Sequence, residues 1–193
     1  MIGQEFSDKL VYNGKQYTLR LDFRNVLEAF EVMSIDYPNE YKIALIFDIF
    51  VDKKLFDTRA KYRAGIVSEI FEKYINILPE NKKDELRSMD FSQDFKYIYS
   101  SFKQTYSIDL LDEDLSWQKF ISDFVSLPST SKINEIIHVR KAKIPTPTKS
   151  NQEQIANLIE SKDYYKLDIP EKERSEHFQR GLARFAKGII DGQ

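Results

Sequence analysis

"DFKYIYSSFKQTYSIDLLDEDLSWQKFISDFVSLP", residues 94–128, packs five Phe or Trp residues, three Tyr residues and four clustered carboxylates into one short span. A chemical site or a packed interior could each require that density, and spacing separates the two. Phe95, Ile98, Tyr99, Phe102 and Tyr106 fall at i, i+3, i+4, i+7 and i+11. Trp117, Phe120, Ile121, Phe124 and Val125 nearly repeat the pattern, so each run is one face of an amphipathic helix. The expected arrangement is an αα-hairpin with two facing aromatic stripes, joined by "SIDLLDEDL". A helix from about Ser131 to Arg140 adds Ile133, Ile136 and Ile137 to the same core, after a turn forced by Leu127-Pro128. In this register Trp117 is a core side chain rather than a platform on which a base or sugar stacks.

The carboxylates Asp109, Asp112, Glu113 and Asp114 invite a cation or an acid/base pair. A calcium loop needs alternating oxygen ligands, a Gly at its sharp turn and a distal bidentate Glu; "DLLDEDLSWQK" has neither the Gly nor the distal Glu. Acidic residues just before an apolar-periodic run suit the unpaired amides and positive dipole end of a helix, with Asp112 or Asp114 as the cap.

Upstream, "KLVYNGKQYTLRLDF" alternates apolar and polar residues on either side of Asn13-Gly14, a pair that accepts the positive φ angles of a type I′ turn. It reads as a β-hairpin, Lys9 to Tyr12 and Gln16 to Leu21. Its apolar face must rest on the following helices or on a strand from a partner. From Asp22, the expected N-cap, Val26, Leu27, Phe30 and Met33 form a helical stripe. A second helix, Asn39 to Val51, is apolar on most sides, as a central core helix should be. A third, about Thr58 to Leu78, carries Tyr62, Ile66, Ile70, Tyr74 and Ile77.

Downstream, "AKIPTPTKSNQ" contains two prolines and no periodic apolar residue, and reads as an extended linker. Two helices follow, Gln152 to Tyr165 with Ile155, Leu158 and Ile159 inward, and Glu171 to Ile190. The latter carries Phe178, Leu182, Phe185 and Ile189 in a narrow stripe flanked by Arg174, Arg180, Arg184 and Lys187. That stripe is the candidate partner-binding surface, suited to a groove on its own core or on another protein. The fold class is mainly α with an N-terminal β-hairpin (α+β), a compact helical core plus a C-terminal helical appendage. The expected division is 1–141 for the hairpin and helical core, 142–150 for the Pro/Thr linker and 151–193 for the C-terminal amphipathic helices.

Composition narrows function. The 29 basic and 31 acidic residues nearly cancel, so no overall field draws the chain to nucleic acid or an anionic bilayer. From Lys141 onward ten basic residues face eight acidic ones, a solvated amphipathic face rather than a polyanion footprint. With no Cys and only His138 and His177, thiolate chemistry is excluded and no zinc-ligand spacing arises. The longest apolar run, Ile43 to Val51, is interrupted by Asp48 and too short to span a bilayer, and "MIGQEFSDKL" lacks a signal-peptide pattern. No G-x-S-x-G, G-x-G-x-x-G or Walker A loop is present. The expectation is a non-enzymatic interaction protein with no cofactor, metal, nucleic acid or membrane partner.

The block from Tyr97 to Pro145 resembles the signature region of the bacteriophage "gp-fifteen" family, from siphophages of Gram-positive bacteria and their prophages. The matching elements are Ile98-Tyr99 and Phe102; Tyr106 to Leu111; Trp117 with Lys119-Phe120; Leu127-Pro128; and Ile136 with Arg140 to Pro145. Family members commonly have a second Trp where this chain has Gln118. The N-terminal hairpin and the "IPEKERSEHFQRGLARFAKGIIDG" terminus are similar in kind, so the resemblance covers most of the chain. It implies a tail assembly chaperone in the host cytoplasm, encoded just upstream of the tape measure gene. The implied partners are the tape measure protein and the tail tube protein, with self-association left open. The alternatives are a structural component of the virion tail and a nucleic-acid-binding regulatory module.

Overall fold

A computed structural model describes residues 8–51, 60–75 and 88–168. Strands β1 (Lys9–Tyr12) and β2 (Lys15–Thr18) precede α1 (Phe23–Ser34), α2 (Asn39–Phe50), α3 (Ala60–Ile70), α4 (Phe95–Tyr106), α5 (Trp117–Val125), α6 (Lys132–Lys141) and α7 (Gln152–Tyr164). The chain is mainly helical with an N-terminal antiparallel hairpin, as its periodicities imply. The described residues form two compact units, the first from 8–51, 60–75 and 114–122, the second from 88–113 and 123–168.

In the first unit, Asn13 and Gly14 take φ angles of 49° and 74°, the positive pair that a type I′ turn requires. Leu10 pairs with Tyr17 across the hairpin and both are buried. The apolar face is therefore covered by this chain itself, where the sequence also allowed a partner's strand. Beyond β2, Leu19 bridges to Val51 and the Arg20 N–H donates to the Phe50 carbonyl at 2.7 Å. The Asp22 carboxylate accepts from the Arg24 N–H at 2.9 Å, capping α1 as expected. Phe23, Val26, Ala29 and Met33 form the buried face of that helix.

α3 widens into a single π-helical turn over Phe71–Ile75. The Ile75 carbonyl, at its end, accepts the Trp117 indole N–H at 3.1 Å in a buried bond. Residues 114–122 are threaded into this unit by two backbone bonds, Phe23 N–H to the Leu115 carbonyl at 3.0 Å and Trp117 N–H to the Leu21 carbonyl at 2.7 Å. Phe120 then stacks on Phe23 at 4.7 Å, and Trp117 meets Phe30 edge-on at 5.7 Å. Phe71 packs on Phe50 at 6.0 Å and on Phe30 at 6.4 Å, so rings from four elements share one interior.

This corrects the expected αα-hairpin. The stripe on α4 lies in the second unit with Phe124 and Val125, where the Tyr106 hydroxyl donates to the Asp123 carbonyl at 2.9 Å, whereas Trp117, Phe120 and Ile121 belong to the first. Periodicity identifies a buried face but not the surface that buries it.

In the second unit, α4 and α6 pack through Ile98, Phe102, Ile133, Ile136 and Ile137, all buried. Ser101 on α4 accepts the Ile133 N–H at 3.1 Å, satisfying an amide of the first turn of α6, and donates to the Tyr97 carbonyl at 2.7 Å. Residues 142–148 carry no helix or strand, 149 and 150 form a turn, and the segment belongs to this unit together with α7. The reason is visible at its ends: Lys162 Nζ donates to the Arg140 carbonyl and Arg140 Nε to the Tyr165 carbonyl, both at 2.6 Å, so α7 is tied back to α6. Of the three residues expected inward on α7, Ile155 is buried, Leu158 half-buried and Ile159 48% exposed.

Candidate interaction surface

Tyr37-Pro38 ends the link after α1, and Pro38 fixes a φ of −56° at the N-cap of α2. Lys42 Nζ reaches back to the Met33 carbonyl at 3.0 Å and steadies that corner. α2 turns Ile46, Phe47 and Phe50 into the core and leaves Ile43, Ala44 and Ile49 half-buried, with Tyr41 and Leu45 exposed. Tyr41 is 67% exposed, Tyr37 54%, Leu45 43% and Ile35 42%. This corrects the expectation of a central helix: α2 is apolar on both sides but buried on one. Tyr41 and Leu45 lie one turn apart on α2 with Asp48 following on the same side, and Ile35 and Tyr37 belong to the link that precedes the helix. Glu31, Asp36, Glu40 and Asp48 are exposed around it, together with the half-buried Lys42, whose ammonium donates to the Met33 carbonyl, and the exposed Arg20, whose guanidinium donates to the Asp48 carbonyl.

The carboxylate region resolves into structural roles. Asp109 accepts from Lys103 Nζ at 2.8 Å, the Tyr99 hydroxyl at 3.0 Å and the Leu111 N–H at 3.1 Å. Lys103, then the Leu111 amide, holds the Asp109 carboxyl below the ordinary carboxylate range. The same contacts raise the Lys103 ammonium and the Tyr99 phenol. All three move away from neutrality, the opposite of what proton transfer at neutral pH needs. The cap of α5 is Ser116, whose Oγ accepts the Lys119 N–H at 3.3 Å, and not Asp112 or Asp114. Asp114 instead approaches Arg24 at 3.6 Å. Among the described residues no group of three or more His, Cys, Asp and Glu could hold a metal ion, and no helix is long and apolar enough to cross a membrane.

Sequence reasoning missed the Asp94–Arg140 pair. The two guanidinium terminal nitrogens meet both carboxylate oxygens at 2.6 and 2.8 Å. The guanidinium also donates to the Ser88 carbonyl at 3.0 Å. The Asp94 side chain is 1% exposed and that of Arg140 10%. A carboxylate just before a helix and an arginine in the last turn of another read as ordinary end charges, and their sequence separation of 46 hides the pairing.

Trp117 is buried, and His138 is exposed on α6. The candidate stripe Phe178, Leu182, Phe185 and Ile189, and His177 beside it, lie outside the described residues. No curated protein and no solved structure matches the chain. The family model described as Bacteriophage Gp15 protein matches residues 6–167, a span that takes in the hairpin, the Trp117 insertion, the Asp94–Arg140 pair and the exposed face of α2. The chain therefore belongs to the Bacteriophage Gp15 protein family.

Proposed function

We propose that this phage protein is a tail assembly chaperone, a non-enzymatic binder that keeps the long helical tape measure protein from aggregating in the host cytoplasm until tail tube subunits assemble around it. The observation that carries the reading is the face from Ile35 to Leu45, where a phage-family chain leaves four large apolar side chains open to water. Such a face suits the apolar stripe of another helical chain. The resemblance of the Tyr97–Pro145 block supports the choice of tape measure protein as the bound chain.

Co-expression of this chain with the tape measure protein of the same phage tests the proposal. The expected result is a several-fold rise in soluble tape measure protein and a complex that survives gel filtration, with the chaperone absent from purified virions by mass spectrometry. Unchanged solubility with no complex would refute the chaperone reading. Stoichiometric recovery from virions would instead make the protein a component of the tail.

A further inference from the structure

The chain that leaves α7 is held by the second unit in the way a protein holds a bound peptide. Tyr165, Lys166, Leu167 and Asp168 are in neither helix nor strand. The Gln93 side-chain amide engages their backbone twice: Nε2 donates to the Lys166 carbonyl at 3.1 Å and Oε1 accepts the Asp168 N–H at 3.0 Å. A carbonyl and an amide two residues apart are what a neighbouring parallel strand engages, so one side chain stands in for a strand. Arg140 Nε donates to the Tyr165 carbonyl at 2.6 Å. The half-buried Tyr165 ring meets Tyr97 edge-on at 5.9 Å, with Lys132 Nζ 5.3 Å from its centroid. Backbone bonds of this kind give affinity with little regard to sequence, and a ring set between an aromatic edge and a cation gives selectivity.

The cradle is fixed by groups other than its occupant. Asp94, 1% exposed, grips the Arg140 guanidinium with both oxygens, and the Asp90 carboxylate accepts the Gln93 N–H at 2.8 Å. The occupant is anchored lightly by comparison. Ile155 is the one buried residue of α7, and residues 143–150, which lead to that helix, are all exposed.

We infer that residues 165–168 are an intramolecular ligand, and that Gln93, Tyr97, Lys132 and Arg140 form a docking site for an extended segment led by an aromatic side chain, which α7 and its tail close in the free chain as a releasable latch. The latch opens while α4 and α6 stay folded, because its own contacts are few and gathered near its end. The tether through 142–150 keeps it at an effective concentration on the order of millimolar, so a second segment of the same chemistry enters only when the latch is weakened. This goes beyond the chaperone reading and stands on separate observations.

The test uses the full chain and a fluorescent peptide with the sequence of residues 162–168, KDYYKLD. Tyr165→Ser removes the ring of the latch and leaves the docking site whole. Anisotropy is expected to show this variant binding the peptide at least about tenfold more tightly than the parent chain, whose own latch competes. A peptide with serine at the Tyr165 position should bind about tenfold more weakly. Gln93→Ala added to Tyr165→Ser should weaken binding of KDYYKLD about tenfold, the worth of two hydrogen bonds. Equal binding by the parent and Tyr165→Ser chains, or binding by neither, overturns the docking site.

Hydrogen exchange read by mass spectrometry tests the latch. In the Gln93→Ala chain the amides of α7 should exchange about tenfold faster, with those of α4 and α6 at the parent rate. Acceleration of α4 and α6 as large as that of α7, or none in α7, overturns the latch. Neither readout involves the tape measure protein, so this assignment and the chaperone function stand or fall separately.

Discussion

Arg140 uses its whole guanidinium: two nitrogens on Asp94, one of them also on the Ser88 carbonyl, and Nε on the Tyr165 carbonyl. A fork of donors with fixed geometry can do this; an ammonium cannot. Arg140→Met strands the buried Asp94 carboxylate and is expected to cost about 3–5 kcal/mol, with Arg140→Lys recovering little of it. Adding Asp94→Leu to Arg140→Met should restore part of the loss, because the uncompensated charge goes with it. Urea unfolding, with hydrogen exchange read at the amides of α4 and α6, checks this. A cost below about 1 kcal/mol would mean the pair acts like an exposed one. Asp109 makes a prediction of a different kind. Held by Lys103 and the Leu111 amide, it binds its proton less readily folded than unfolded. Its contribution is therefore complete above the ordinary carboxylate pKa and disappears as pH falls through the lowered value of the folded chain. Carbon NMR should place the Asp109 midpoint below that of an unfolded peptide of the same local sequence. Asp109→Asn should remove the acid-dependent rise in exchange of the Leu111 amide, and a persistent rise would implicate another group.

At the scale of elements, α5 is held by three devices: the Ser116 cap, the ring stacks of Phe120 and Trp117, and the indole bond to the end of the π-helical turn. Trp117→Ala empties a fully buried site and should cost about 3–5 kcal/mol. Trp117→Phe keeps much of the ring area but leaves the Ile75 carbonyl without its indole donor, at about 1–3 kcal/mol. A smaller loss from alanine than from phenylalanine would contradict this packing. Gly65 on α3 supplies a sharper test. A Cβ there would fall on the Tyr12 hydroxyl oxygen and 2.7 Å from its Cζ, so hairpin and helix approach over a position with no side chain. Gly65→Ala should stabilise the parent chain by less than the roughly 1 kcal/mol alanine brings to a helix, because the Tyr12 ring must swing aside. In a Tyr12→Ala background the obstruction is gone and the same change should give the full gain. Thermal melts of the four chains decide, and an equal gain in both backgrounds would rule the close approach out. These elements also show which features of the fold were legible in sequence. Asn13-Gly14 and Asp22 declare themselves because a turn angle and a helix cap are satisfied within a few residues. The acidic run before Trp117 misled because Ser116, one residue from the helix, outcompetes the more distant carboxylates for its amides. The exposed line on α2 was illegible because its composition is nearly uniform around the helix, so only tertiary packing decides which side meets water.

Across the whole molecule, chain order and compact units do not coincide. The first unit needs residues 114–122, which arrive only after α4 has been built into the second. Periodicity along the chain shows which faces are buried, and the rings show which unit buries them. Trp117 and Phe120 contribute to the first interior what its own consecutive segments lack, a buried indole and a ring stacked on Phe23. A fragment ending at residue 113 retains α1, α2 and α3 but loses both rings and the two backbone bonds to Phe23 and Leu21. Such a fragment should hold helical signal in far-UV circular dichroism, bind a hydrophobic dye and melt without a cooperative transition, as a chain does when collapse persists and specific packing is lost. Fusing residues 114–122 to position 78 through a flexible Gly/Ser linker should restore a cooperative melt, since the linker supplies reach without competing structure. A fragment ending at 113 that melts as sharply as the complete chain, and at the same temperature, would show that the inserted rings decorate a finished core instead of completing it.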